Sequence, residues 1–311
     1  MPTLAGQIVK WLDLQKDDVV LDIGCGGKHF QLLAQVQMHV NRLADGILDL
    51  EFSKVLAQGS GSVYGIDSSA AMIKAAQDLC KDTTNTTFEG PSTDNSLSFT
   101  LLTLPYLTLS LPLPYLASCT TNTANRKTAL DATSIPSNPA LQQASFTKAF
   151  SNAALHWVLR DPASRAPFFA AVHAALRPGG TLAIEMGGLG NVAEMRTALL
   201  LGVSRRVGIA RAAAAEPWFF PDEAWLSGAL REAGFRVERI ERDWRPTTAD
   251  KGGVEGWVRL FGKRVLEVVE DEAEREEVVR EVAAVLKEVC RMPGGGEMIS
   301  YVRLRALATK V

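Results

Sequence analysis

Cysteine, histidine and net charge are all scarce in this chain, and each scarcity removes a class of function. The four cysteines in 311 residues (Cys25, Cys80, Cys119 and Cys290) lie far apart and form no Cys-x-x-Cys pair. Neither a zinc cluster nor a disulfide framework fits that spacing, so no metal is expected and a reduced, cytoplasmic setting is. A formal net charge of -2, with no basic patch interleaved with aromatics, gives no pull towards nucleic acid or a membrane surface. The opening MPTLAGQIVKWLDLQKDD lacks a basic-then-apolar leader pattern and reads as a short helix running into the first strand. Asn95 to Asn125 carries no charge, yet Pro105, Pro112, Pro114 and many hydroxyls exclude both a membrane span and a central strand. No Ser-His-Asp set and no paired-carboxylate set is visible either. A small-molecule partner and a monomer are the expectation that remains.

With 47% apolar residues the chain can bury a sizeable core, and one domain over 1–311 is expected. Apolar, strand-like runs occur at Val19–Gly24, Ser62–Asp67, Phe146–Asn152, Thr181–Gly187, Phe235–Trp244 and Ile299–Ala308. Helix-period segments fall between most of them, at Ser69–Lys81, Pro162–Leu176, Val192–Arg206, Pro221–Ala233 and Val265–Val289. Strands alternating with helices predict a mainly parallel α/β sheet covered on both faces. The valine and leucine spacing in EVVEDEAEREEVVREVAAVLKEV predicts a solvated amphipathic helix. Two stretches do not fit this rhythm, 27–44 and 90–128, and both are expected to be loops.

The first strand ends in VLDIGCGGKH, in which Asp22, Gly24 and Gly26 alternate. In an open parallel sheet, ligands bind at the carboxyl ends of the strands, and glycine there lets backbone approach a ligand closely. An ordinary glycine-rich turn would look the same. A dinucleotide-binding GxGxxG would need glycine where His29 stands, which weakens a nicotinamide oxidoreductase reading. The second strand, VYGID, ends in Asp67, an acid able to accept hydrogen bonds from both hydroxyls of a ribose. Ser68 or Ser69 is placed to cap the helix that follows. Met72 could pack on an adenine, although methionine on a helix is more often core.

Taken in order, VLDIGCG, VYGIDSSAAMI, LDATSIP, FTKAFSNAALHWVLRDP, ALRPGG and TLAIEMGG resemble the class I S-adenosylmethionine-dependent methyltransferases. SNAALHW, PWFFPDEAWLSGALREAGFRVERIERDWRPT and GWVRLFGK resemble the trans-aconitate methyltransferase branch. The resemblance implies a Rossmann-like three-layer sandwich around a seven-stranded, mostly parallel sheet whose last strand is antiparallel, with a helical substrate-side insertion at about 189–233. It implies S-adenosylmethionine as cofactor. Asp22, Gly24, Cys25 and Gly26 would line its methionine end. Asp67 would hold the ribose, with Ser68 and Met72 beside the adenine, while Asp131 and Ala132 would meet the adenine amino group and ring. Asn152 and Ala153 would contact the methionyl part. His156, Trp157, Trp218 and Phe219 would border the substrate, where core packing is the alternative for Trp157 and Trp218. For a carboxylate substrate Arg259 or Arg245 could supply the cation, and each could equally be a surface arginine.

The family loop continues after GCG with an acid and a glycine. Here that pair is Asp45-Gly46, and joining Gly26 to Asp45 restores DIGCGDGILDLEFSKVLAQ. Joining about Glu89 to Ala129 likewise restores TTFEALDATSIP. Gly27-Lys28 can be encoded by a splice-donor consensus, and Ala124-Asn125-Arg126 by a branch point and acceptor. Of the 23 residues from Ser96 to Ser118, 17 are Leu, Pro, Ser or Phe, largely pyrimidine-rich codons. Both segments read as translated intron sequence. The resemblance implies O-methylation of the carboxylate of a small organic acid. A carboxylate is ionised at neutral pH, so no catalytic base is expected. A catalytically impaired methyltransferase-like binding protein is the alternative, and a nicotinamide-dependent oxidoreductase a weaker one.

Overall fold

The computed structural model describes residues 6–25, 47–90, 135, 138–249 and 252–311. These residues build a seven-stranded sheet with spatial order β3-β2-β1-β4-β5-β7-β6. The strands are β1 (Val19–Ile23), β2 (Ser62–Ile66), β3 (Thr86–Glu89), β4 (Phe146–Asn152), β5 (Leu176–Gly187), β6 (Phe235–Ala249) and β7 (Glu297–Lys310). β1 to β5 pair in parallel. β7 lies between β5 and β6, antiparallel to both. Strand order reverses between β1 and β4, which makes their carboxyl ends the crevice where such sheets take ligands.

Helices close both faces. On one face Leu21, Ile23, Ala149, Leu182, Ile184 and Met186 pack with Phe168, Phe169 and Val172 of α5 (Pro162–Ala175) and Leu226 and Leu230 of α8 (Glu223–Glu232). On the other, Val20, Val63, Phe150 and Ala183 pack with Ile8 and Leu12 of α1 (Gly6–Leu12) and Phe52 and Leu56 of α2 (Ile47–Leu56). The strands are therefore apolar on both sides, as a sheet between two helical layers requires. The three-layer, mostly parallel arrangement expected from the sequence is the one observed. Between β2 and β3 lies α3 (Ala70–Leu79), and α4 (Leu155–Val158) is a single turn after β4.

Asp161 starts α5 by accepting the Ala163 N–H at 3.0 Å, with Pro162 in the first turn where its missing N–H costs nothing. A third apolar cluster joins α6 (Ala193–Val207) to α9 (Gly253–Phe261), α10 (Lys263–Leu266) and α11 (Glu272–Val289) beside Ile299 and Tyr301 of β7. Between α6 and α8 sits the short α7 (Ile209–Ala214).

Two expectations need correction, and two elements were missed. The helix expected over Val265–Val289 is two helices, because the Asp271 carboxylate accepts the Glu274 N–H at 2.8 Å and restarts the chain after Leu266. Arg275 holds the intervening turn through the carbonyls of Val269 and Glu270. Ser69 does precede α3, yet its side chain caps nothing; its backbone N–H donates instead to Asp67. The strand Thr86–Glu89 was missed, being four residues long with two hydroxyl side chains, and so was α9. Among the described residues no helix is long and apolar enough to cross a membrane.

Phe150 is fully buried and meets the Phe52 ring edge-on, with centroids 5.2 Å apart. Phe150→Ala is expected to destabilise the chain by about 3–5 kcal/mol, read as a lower urea midpoint at unchanged slope.

Candidate functional site

Four strands are pinned together at the carboxyl edge. After β1 the backbone turns at Gly24 (φ 78°), whose N–H donates to the Ile66 carbonyl at 2.8 Å, followed by Cys25 to the same carbonyl at 3.2 Å. A Cβ on Gly24 would stand 2.3 Å from the Cβ of Ala154, so any side chain there would collide with the turn after β4. That turn carries Ala153 at φ 58°, an unusual value for a residue with a side chain, and the Ala153 N–H donates to the Glu185 carbonyl of β5 at 2.8 Å. Backbone bonds thus hold β2 to the β1 turn and β5 to the β4 turn, while the missing side chain of Gly24 lets the two turns touch.

Strand register decides which side chains share a face. Asp22 pairs with Phe150 and Gly65, and Asn152 with Glu185. Glu185 in turn pairs with Arg305, and Arg305 with Glu241. Neighbours in register point to the same side, so Asp22, Asn152, Glu185, Arg305 and Arg303 line one face of the edge. Asp67, just past β2, is buried and accepts the Ser69 N–H at 2.7 Å. Ser68 and Asn152 are half-buried, and Met72 is buried with Ile73 and Ala76 on the inner side of α3. Gly26, Asp131 and Ala132, with all of 27–44 and 91–128, lie outside the described residues.

Beneath the loop two acids face each other. Asp22 and Asp49 are buried, and neither Asp49 oxygen meets a donor among the described residues. Burial pushes the Asp22 carboxyl up to about 7; the Asp49 carboxyl opposes that rise and the charge of Asp67 adds to it. Burial, and then the charge of Asp22, raises Asp49 well above the ordinary range. One proton shared between two carboxyls is the chemistry such a pair adopts. Cys25 is buried beside them, and burial raises its thiol so far that it acts as a small apolar filler, not a nucleophile.

An aromatic wall stands over the ends of β4 and β5. His156 lies against Trp157 and Phe220, with ring centres 5.4 and 5.6 Å away, and its Nδ1 accepts the Gly187 N–H at 3.4 Å. Trp157 meets Trp218 at 5.6 Å, and Trp218 stacks on Phe220 at 5.9 Å. Phe219 is not part of this wall. Its ring turns to the opposite side, under the Arg165 guanidinium at 3.6 Å and against Trp225 at 4.7 Å. Phe220 takes its place, and the alternation of the extended WFF stretch is the signal that would have found it.

Arg259 must also be given up as the substrate's cation. Its guanidinium is committed to Glu276 at 2.7 and 2.8 Å and to Glu255 at 3.0 Å on the outer side of α9, which leaves no edge for a ligand. Arg245, by contrast, pairs in register with Tyr301 on the face that carries Arg303 and Arg305. Sequence reading missed Asp49, Glu185, Arg303, Arg305 and Phe220. The charged members carried a signal, an ionisable residue within an otherwise apolar run.

No protein-family profile matches the chain. A curated relative does: an uncharacterized methyltransferase of Schizosaccharomyces pombe is 30% identical over 317 residues, which covers 100% of this chain and 93% of that protein. The fold agrees. A candidate methyltransferase of Bacillus halodurans superposes with a TM-score of 0.52 at 12% identity, covering 98% of this chain and 97% of that one. The YcgJ protein of Bacillus subtilis gives 0.52 at 11%, with the same two coverages. The chain belongs to the class I S-adenosylmethionine-dependent methyltransferases. The family excludes the nicotinamide oxidoreductase reading.

In this methyltransferase the buried acid pair makes a pH signature. The folded pair keeps a proton that the unfolded chain releases near its ordinary value of 3.8. The folded state therefore binds more protons between about pH 4 and about pH 7, and stability falls as pH rises through that window. The loss is on the order of 1 kcal/mol per pH unit for one proton. Asp49→Asn, which supplies an amide donor to Asp22, is expected to flatten this slope and raise the melting temperature at pH 7.5. An unchanged pH profile of thermal unfolding in the variant would show that the two acids titrate independently.

Proposed function

We propose that the carboxyl edge of β1, β2 and β4 binds S-adenosylmethionine, and that the chain transfers its methyl group to the carboxylate of a small, trans-aconitate-like organic acid. The observation that carries the reading is the convergence of Gly24, Asp22, Asp67 and Asn152 on one edge of the sheet. The glycine gives backbone a close approach, and the residues present fit the group. Asp67 would accept the ribose hydroxyls, with Ser68 and Met72 beside the adenine. Asp22, Cys25, Asn152 and Ala153 would border the methionyl end, and Gly26, Asp131 and Ala132 belong to the same proposal by motif. When bound, the cofactor supplies a methyl group on a sulfonium, open to in-line displacement by an oxygen.

The protein's own residues then orient and exclude water. A substrate carboxylate, with an ordinary pKa near 4, is already anionic at neutral pH and needs no base. What it needs is placement, since about 1 Å of misplacement can cost about a hundredfold in rate. The wall of His156, Trp157, Trp218 and Phe220 is rigid enough to provide placement, and its rings shed the water that would solvate the attacking oxygen.

The reading predicts that Asp67→Ala lowers S-adenosylmethionine affinity by roughly tenfold or more in calorimetry, the loss expected for charge-assisted bonds to two hydroxyls. Unchanged affinity would remove Asp67 from the ribose.

A second reading concerns 27–44 and 90–128, which interrupt the motifs that flank this edge. We read them as translated introns that impair the chain as written. Lengthening a short loop by about 18 residues costs only about 1–2 kcal/mol in closure entropy, so the fold tolerates it while the site does not. A chain in which Gly26 is joined to Asp45 and Glu89 to Ala129 is expected to bind S-adenosylmethionine at least tenfold more tightly. Transcript reads that cover both segments in polysomal RNA would refute the intron origin.

A further inference from the structure

On the same face of the carboxyl edge one buried guanidinium is poorly paired among the described residues. Arg303 on β7 is 9% exposed, and its Nε meets no acceptor among the described residues. The nearest carboxylate oxygen is Oε1 of Glu185, at 4.0 Å. That acid is already engaged, because its Oε2 accepts from Arg305 at 2.5 Å. Arg305 is also served by Asp243 at 2.5 Å and Glu241 at 3.3 Å. Three acids thus surround Arg305, and Arg303 is left with the far oxygen of one of them.

A second guanidinium, that of Arg245, lies near Arg303. On β6, Arg245 stands opposite Tyr301, and the Tyr301 ring lies 4.7 Å from the Arg303 guanidinium carbon. Burial first, and then the charges of Arg303 and Arg305, hold Arg245 below its ordinary pKa although Glu185 opposes them. A buried guanidinium is costly to keep unless something pairs with it, and the fold already shows, at Arg305, how fully it can pair one.

The position is equally telling. Arg303 is the strand partner of Gly187, the glycine whose N–H meets His156 and whose missing Cβ is replaced by the Phe220 ring. Two residues back on β5, Glu185 is the strand partner of Asn152. Arg303 therefore sits where the edge proposed for the cofactor meets the aromatic wall.

We propose that Arg303 is the carboxylate-recognition residue of the acceptor subsite. A planar guanidinium pairs with a carboxylate through two parallel N–H donors. Held there, a second carboxylate of a di- or tricarboxylic acid fixes the molecule while its reacting carboxylate remains unpaired and nucleophilic. This rests on the organic-acid reading given above.

The test is calorimetric titration of trans-aconitate and of tricarballylate into the full chain with S-adenosylhomocysteine present, and of S-adenosylhomocysteine alone. Arg303→Gln is expected to weaken tricarboxylate binding about tenfold or more, the loss of a charge-assisted pair, and to leave S-adenosylhomocysteine affinity within twofold. Arg303→Lys keeps the charge without the fork and is expected to lose about threefold. It decides the matter if the glutamine variant does not fold, a loss supporting the proposal and none overturning it. Tricarboxylate binding unchanged in Arg303→Gln would overturn this assignment alone. Weakened S-adenosylhomocysteine binding with intact tricarboxylate binding would overturn it in favour of the cofactor's own carboxylate. A wild-type chain that binds S-adenosylhomocysteine yet takes neither tricarboxylate would overturn the organic-acid reading and this subsite together.

Discussion

At the carboxyl edge of the sheet the turn after β1 and the turn after β4 pass so closely that the space for a side chain on Gly24 is taken by Ala154. The contact lies at the reversal of strand order, between the halves β1-β2-β3 and β4-β5-β7-β6. Backbone bonds on either side, from Gly24 to Ile66 and from Ala153 to Glu185, fasten the two outer neighbours to the same point. Everything proposed for ligand binding is hung from this junction, because the positions of Asp22, Asn152 and the aromatic wall follow from it. An alanine at Gly24 would have to force the turns apart and hold a positive φ, and both costs would fall on the site.

Around that junction the methyltransferase buries charge in two different ways. Asp22 and Asp49 face one another with no cation close by among the described residues, and they resolve the conflict by holding a proton. Glu185 and Arg305 resolve theirs by pairing. Arg303 has only the far oxygen of Glu185, at 4.0 Å, and no acceptor for its Nε among the described residues, and it is this imbalance that singles it out. Two buried acids and one unsatisfied guanidinium are poor devices for stability, since a buried polar group costs free energy unless its bonds are made. Local rules are broken most often where a protein binds or reacts. The same edge holds the reversal of strand order, where open parallel sheets take their ligands.

Much of this architecture was legible in the chain. Alternating strand and helix periods pointed to the parallel sheet, and most of the strands and helices fall within a few residues of their expected bounds. Asp22, Gly24, Asp67 and Asn152 could be placed at strand ends because their types and spacing are local signals. Thr86–Glu89 escaped because four residues, half of them hydroxyl-bearing, carry no clear period. The break between α10 and α11 escaped because valines at helical spacing continue across it, while the cap at Asp271 outweighs them.

Side-chain partnership was the harder matter. Arg259 looked available in GWVRLF, and only the packing of α9 against α11 gives it Glu276, which lies 17 residues further along the chain. Arg303 drew no notice in the sequence, and only register places it opposite Gly187 and Asp243. Composition and local pattern therefore determined an α/β chain with its glycine turn and Asp67 at strand ends, and the order of its motifs carried the resemblance to the methyltransferases. Which charges are paired and which are spare was decided by tertiary structure alone. An ion pair depends on distances of a few ångström between residues far apart in sequence, and no local period records them.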